Sequence, residues 1–131
     1  MEPHPPVTIC FLTHNSEPFL AKALSSVLTQ DYPNFKVLIS DNESTDDTEK
    51  IIDSFRADNP NIIFRRNIPD IQPGKFYDGC YDNSNGCINS GLIDGAFAGF
   101  YHSDDIYEKE IVKRAIRNPR LLLAKIKENR E

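Results

Sequence analysis

Little in this chain of 131 residues suits a membrane, a secretory route or a nucleic acid. No apolar run approaches the roughly 20 residues that a spanning helix needs. The opening residues, MEPHPPV, have neither a basic stretch nor an apolar core, so no secretory signal is expected. The cysteines number three, which is odd and too few for a disulfide framework, and Cys10 lies inside an apolar run. Reduced thiols in a cytoplasmic protein are the expectation. Cys80 and Cys87 with His102 suggest a metal site, but their spacing matches no zinc pattern, and they read as structural. Positive charge is scarce over most of the chain: residues 1–60 carry a net −6 and residues 61–105 a net −3, against +4 over residues 106–131. An acidic body argues against a nucleic-acid polymer as partner. The basic end suits anionic lipid, a partner chain or plain solvent.

What is present describes a soluble globular domain, with 39% hydrophobic and 27% charged residues. The length gives one domain with a real core, short for a complete two-substrate enzyme. Val7 to Thr13, VTICFLT, is rich in β-branched and aromatic residues and reads as a strand. A helix follows, with Phe19, Leu20, Ala23, Leu24, Val27 and Leu28 at helical spacing, Ser16 as its N-cap and Pro18 in its first turn. Asp31-Tyr32-Pro33-Asn34 turns the chain back into a strand from Phe35 to Ile39.

That second strand stops at Ser40-Asp41-Asn42 and gives way to an acidic stretch, with Ser44 or Thr45 expected to cap the next helix. The helix uses Ile51, Ile52 and Phe55 and ends at Asn59-Pro60. Ile62 to Phe64 forms a third strand. Asn67 to Gly86 reads as a long loop, and Asn89 to Ile93 as a weak helix. Ala96 to Tyr101 is a fourth strand, running into His102-Ser103-Asp104-Asp105. Strands alternating with helices predict an α/β fold: three αβα layers around a mostly parallel, doubly wound sheet. In such a sheet ligands bind beyond the carboxyl ends of the strands, so Asp41 and the His102–Asp105 segment should share one edge. Carboxylates with a histidine suit a divalent cation, although Ser103–Asp105 also reads as a cap for the following helix.

Together the strand VTICFLTHN, the loop SDNESTDDT and the strand end FYHSDD resemble glycosyltransferases of family 2, with their GT-A nucleotide-sugar-binding fold. In that family the first strand typically ends Pro-Thr-Tyr-Asn, the second loop reads Asp-Asp-Gly-Ser-Thr-Asp and the fourth strand ends Asp-x-Asp-Asp. The resemblance spans residues 7 to about 117, and it extends to Leu24–Gln30 followed by Tyr32-Pro33. It implies a truncated or divergent domain over residues 7–117, preceded by a leader at 1–6 and followed by a basic helical tail at 118–131.

The resemblance also implies roles. Thr13, Asn15 and Ser103 fall at nucleotide-pocket positions, and Asp41 at the position that contacts the base. Asp104 falls on the acid that binds the metal bridging the diphosphate, with His102 and Asp105 beside it as further metal ligands. His102 replaces the family's usual first Asp, and imidazole holds Mn²⁺ better than Mg²⁺. Leu12, Asn42 and Glu43 replace the usual Pro, Asp and Gly. The family's basic Ala-Arg-Asn segment is not recognisable, and Lys75 is the substitute by position.

The implied function is metal-assisted transfer of a sugar from a nucleotide-diphosphate donor, a UDP-sugar foremost, to an unknown acceptor. The alternative is a nucleotide-sugar-binding module without turnover, because no general base falls in a matching motif. A nucleotidyltransferase would need a glycine-rich, basic loop after the first strand, and His14-Asn15-Ser16-Glu17 is neither. The tail's apolar stripe, Ile111, Val112, Ala115 and Ile116 with Leu121–Leu123 and Ile126 beyond, predicts packing on its own domain, with self-association or a membrane surface as sharper options.

Overall fold

Strand β1 (Val7–Thr13) is buried along its whole length, as befits a strand covered on both faces. It lies in a computed structural model that describes residues 4–117. The sheet is entirely parallel, in the order β3-β2-β1-β4. Helix α1 (Glu17–Leu28) returns the chain to β2 (Phe35–Asp41), and α2 (Thr48–Arg56) returns it to β3 (Ile62–Arg66). The path then crosses back over β2 and β1 through α3 (Gly79–Asn89) to reach β4 (Phe97–His102) on the far side, and ends in α4 (Ile111–Arg117). The direction of winding therefore reverses between β1 and β4, which is where an open α/β sheet forms its ligand crevice.

Alternation along each strand sorts the core into two layers. Val7, Ile9, Phe11, Val37, Ile39 and Tyr101 face one side and pack with Leu20, Leu24 and Val27 of α1, Ile52 of α2 and Val112 of α4. Cys10, Leu12 and Leu38 face the other side and meet Cys87 of α3. Each fully buried aliphatic or Phe side chain contributes about 1.5–3 kcal/mol of transfer free energy. The two layers with the sheet between them make the expected αβα sandwich. The sequence motif for the tail helix is met in α4, where Val112 and Ala115 are buried. Its continuation from Asn118 lies outside the described residues, as does the start of the leader.

Several local expectations are corrected. Ser44 and Thr45 do not cap α2: its N-cap is Asp47, and Asp46 Oδ1 accepts instead from the Thr48 backbone N–H and hydroxyl. That hydroxyl, followed by the backbone N–H groups of Thr48 and Glu17, holds the Asp46 carboxyl below its usual range. Ser103–Asp105 caps no helix, since α4 begins only at Ile111. The segment after β4 is held by Tyr107, which stacks on Tyr101 with centroids 4.3 Å apart and whose hydroxyl accepts from the His102 N–H at 2.7 Å.

The main correction is α3, a helix over Gly79–Asn89 where a loop and then a helix at Asn89–Ile93 were expected. Its two glycines and its Asn and Ser residues are poor helix formers, so tertiary bonds hold it. Asn83 Nδ2 donates to the Ser40 carbonyl at 2.8 Å, while its Oδ1 accepts from Ser40 Oγ at 2.6 Å. Asn67 Nδ2 donates to Asp82 Oδ2 at 2.9 Å, and Asp78 Oδ1 accepts from the Tyr81 N–H as N-cap.

Gly86 is needed for this docking. A Cβ there would stand 2.0 Å from Asn67 Oδ1 and 2.8 Å from Arg65 Nη1. Gly86→Ala is expected to destabilise the fold by about 1–3 kcal/mol, despite alanine's better helix propensity. A urea melt in which the variant matches or exceeds the parent would show that Asn67 can move aside at no cost.

Candidate functional site

The parallel register brings three strand ends to one edge. Thr13 pairs with Asp41, and Leu12 with His102. Above them opens a cleft of about 660 Å³ whose lining includes Thr13, His14, Asn15, Asn42, Glu43, Tyr77, Cys80, His102, Ser103 and Asp104. Its floor is stitched across the β1–β4 reversal by Ser16 Oγ and Ser103 Oγ, 2.5 Å apart. Phe19 and Ile71 add apolar wall.

One side of the cleft is a knot of short hydrogen bonds between the loops after β1 and β2. Asp41, only 3% exposed, accepts at Oδ1 from Thr13 Oγ1 and Ser44 Oγ, each at 2.6 Å, and at Oδ2 from the Ser44 N–H at 3.0 Å. Asn15 Oδ1 accepts from the Thr45 N–H at 2.7 Å and the Asp46 N–H at 3.3 Å. His14 Nδ1 donates to the Asn42 carbonyl at 2.6 Å. Asn42 in turn joins the wall opposite: its Nδ2 donates to Tyr77 Oη, and its Oδ1 accepts from Asn67 Nδ2, both at 2.9 Å.

Two residues in these loops have left-handed backbone, Asn15 with φ 44° and Glu43 with φ 48°. Asn tolerates this region well. Glu43 stands where family 2 usually has Gly, and its φ is the physical reason for that preference. Non-glycine residues at such angles cluster at ligand-binding loops.

Of the residues singled out from sequence, Thr13, Asn15, His102, Ser103 and Asp104 therefore converge on one cleft. Asp41 lies beneath it with its carboxylate committed to the loop. Asp105 is not in the lining, and its Oδ2 is 3.5 Å from Tyr107 Oη. Lys75 is exposed in a turn and stands apart from the cleft. His14, Tyr77 and Asn83 were missed as lining residues, Ser16 was read only as a helix cap, and Cys80 as structural. His14 sat in the quoted strand-end motif. Tyr77, Cys80 and Asn83 belong to a segment whose polar positions show helical spacing only once α3 is known.

The cysteines divide in two. Cys10 and Cys87 are buried together in the core. The hydrogen bond to Cys87, helped by burial, pushes the Cys10 thiol up, whereas the same bond, with Ser40 and Arg65 beside it, draws Cys87 down. Cys80 is instead at the cleft, with Sγ 3.8 Å from His102 Nδ1.

Among the described residues no group of three or more His, Cys, Asp and Glu is placed to hold a metal by itself. The cleft offers a hard cation the Asp104 carboxylate and the His102 imidazole. An ion held by so few protein atoms takes its other ligands from water or a bound phosphate, a common arrangement for Mg²⁺-type sites. No lysine or arginine lines the cleft among the described residues, whereas Glu43 and Asp104 do.

Residues 8–69 match the model of glycosyl transferase family 2. The chain is thus glycosyltransferase family 2-like, with the GT-A type of α/β fold. It is 32% identical over 107 residues to the abequosyltransferase RfbV of Salmonella typhimurium, a match covering 79% of this chain and 29% of that protein. Residues 1–349 of S. aureus TarS, solved in complex with UDP-GlcNAc, superpose with a TM-score of 0.65 at 27% identity, over 86% of this chain and 30% of that one. The mannosyltransferase PcManGT of Pyrobaculum calidifontis, solved with GDP-Man and Mn²⁺, shares the fold at a TM-score of 0.69 and 20% identity, over 86% and 32% of the two chains. The chain thus spans about three tenths of the length of these relatives.

Proposed function

We propose that this chain is the donor-binding part of a metal-assisted glycosyltransferase, taking a nucleotide-diphosphate sugar, a UDP-sugar foremost, in the cleft beyond β1 and β4. The observation that carries this reading is the cleft's charge. Among the described residues two carboxylates and no lysine or arginine line it, so a diphosphate would bring a cation with it. Asp104 and His102 would hold that ion, with Mn²⁺ suiting the oxygen-and-imidazole pair better than Mg²⁺. When bound, the ion would neutralise charge building on the diphosphate leaving group. Asn15 and Ser103 would contact the nucleotide, and Thr13 and Asp41 would hold their loops in place. Lys75 would reach the ligand only if its turn closes over the cleft. Asp105 would act from behind Asp104. TarS, whose structure holds UDP-GlcNAc at 27% identity, supports the choice of uridine.

The buried pair Cys10 and Cys87 suits a reducing, cytoplasmic setting. No helix among the described residues is long and apolar enough to cross a membrane. Any peripheral membrane contact or self-association falls to the basic residues 118–131.

The test is thermal. UDP with Mn²⁺ is expected to raise Tm, and UDP in excess EDTA to leave it unchanged, because only ligand that binds the native state stabilises it. Asp104→Ala should abolish the metal-dependent rise. Asp104 is exposed, so unliganded stability should change by no more than about 0.5 kcal/mol. Equal stabilisation by UDP with and without metal would refute the metal's part in binding.

A further inference from the structure

The pairing of Cys80 with His102 has no part in donor binding as described above. Cys80 stands in the first turn of α3 and His102 ends β4, so two separate elements bring the pair together. Both side chains line the cleft, and Cys80 is exposed. Sγ and Nδ1 are 3.8 Å apart. In a tetrahedral zinc site, bond lengths of about 2.3 Å to sulfur and about 2.0–2.1 Å to nitrogen put those two atoms about 3.5 Å apart. A movement of a few tenths of an ångström would therefore bring the pair to chelating distance. The Cys80 side chain is not a close relative of the oxygen donors that suit Mn²⁺ or Mg²⁺. A thiolate beside an imidazole selects thiophilic ions instead.

We propose that Cys80 Sγ and His102 Nδ1 form a binding site for a thiophilic divalent cation, Zn²⁺ by class, on the wall of the cleft. Water completes the coordination, since no third His, Cys, Asp or Glu among the described residues is placed to join the pair. Binding releases the Cys80 proton to solvent. With two secure protein ligands the site is open and of modest affinity, unlike a closed structural zinc site. Occupancy commits His102 to the sulfur side, so Zn²⁺ and the hard ion proposed for the diphosphate compete for one imidazole. Cys80–His102 chelation does not depend on sugar transfer and stands or falls without nucleotide.

The experiment uses the 131-residue chain with Co²⁺ as a spectroscopic stand-in for Zn²⁺ and no nucleotide present. Co²⁺ is expected to give a near-ultraviolet thiolate-to-metal charge-transfer band that Zn²⁺ then displaces. Cys80→Ser and His102→Ala, made separately and checked for fold by circular dichroism, should each lose the band. Each should also weaken Zn²⁺ binding by roughly tenfold or more in calorimetric titration, since even ligand-supporting residues are worth that much. Absence of the band in the parent, or its persistence in either folded variant, overturns the proposal. Loss of the UDP-dependent thermal shift bears only on the donor reading, so the two fail separately.

Discussion

Asp41→Ala is expected to cost about 2–4 kcal/mol of stability, an unusually large effect for a residue at the end of a strand. The carboxylate is 3% exposed and receives three hydrogen bonds, from Thr13 Oγ1, Ser44 Oγ and the Ser44 N–H. Truncation strands the buried Thr13 hydroxyl, at about 1–3 kcal/mol for a buried orphan, and removes the acceptor for the part-buried Ser44 donors. Asp41→Asn keeps the volume and one acceptor oxygen, so it should lose less, on the order of 1–2 kcal/mol. Denaturant melts of the two variants check the order. If alanine costs under about 0.5 kcal/mol, the carboxylate is free to serve a ligand, and the base-contacting role implied by the family resemblance regains its ground.

The second large effect concerns turnover. The 131-residue chain alone is expected to bind donor yet transfer sugar to an acceptor at no more than about 0.1 s⁻¹, against a typical enzymatic 10 s⁻¹. A general base contributes about 10²- to 10⁴-fold. Glu108 and Glu110 are the first carboxylates in sequence after Asp105, but both are drawn to Arg114, at 2.9 and 3.9 Å, and neither lines the cleft. Slow release of UDP by transfer to water should survive, because it needs only the donor pocket and its cation. Measured transfer to a defined acceptor at roughly 1 s⁻¹ or faster would show that a base is present after all. Glu43, the other carboxylate in the lining, would then be the first to replace.

The sheet was legible because apolar runs of the right length alternate with helical stripes, as in Val7–Thr13 and Leu20–Val27. The strand-end site was legible because a parallel sheet sends Thr13, Asp41 and His102 to one edge whatever the details. What escaped was α3. It lacks an apolar stripe, and its order depends on partners distant in sequence, such as Ser40 for Asn83 across 43 positions. Cys80 was set beside His102 but read as structural, since nothing local tells an exposed first-turn thiol from a buried one. The role of Asp41 was half visible: its place at the strand end was read correctly, whereas its commitment to Thr13 and Ser44 is a matter of side-chain geometry alone.

The loop knot also settles which way hydrogen bonds can point. An amide side chain has one acceptor oxygen and one donor nitrogen. Asn15 spends its oxygen on the backbone N–H groups of Thr45 and Asp46, which can only donate and so fix the amide's orientation. What remains to face the cleft is the NH₂. Thr13 has the opposite polarity, because its hydroxyl proton goes to Asp41 and leaves only lone pairs. A molecule entering here would meet a donor at Asn15, whereas Thr13, buried, spends its hydroxyl on Asp41 beneath the cleft. A ligand edge that offers acceptors would suit the Asn15 side of the cleft, and an analogue that offers only donors there would not.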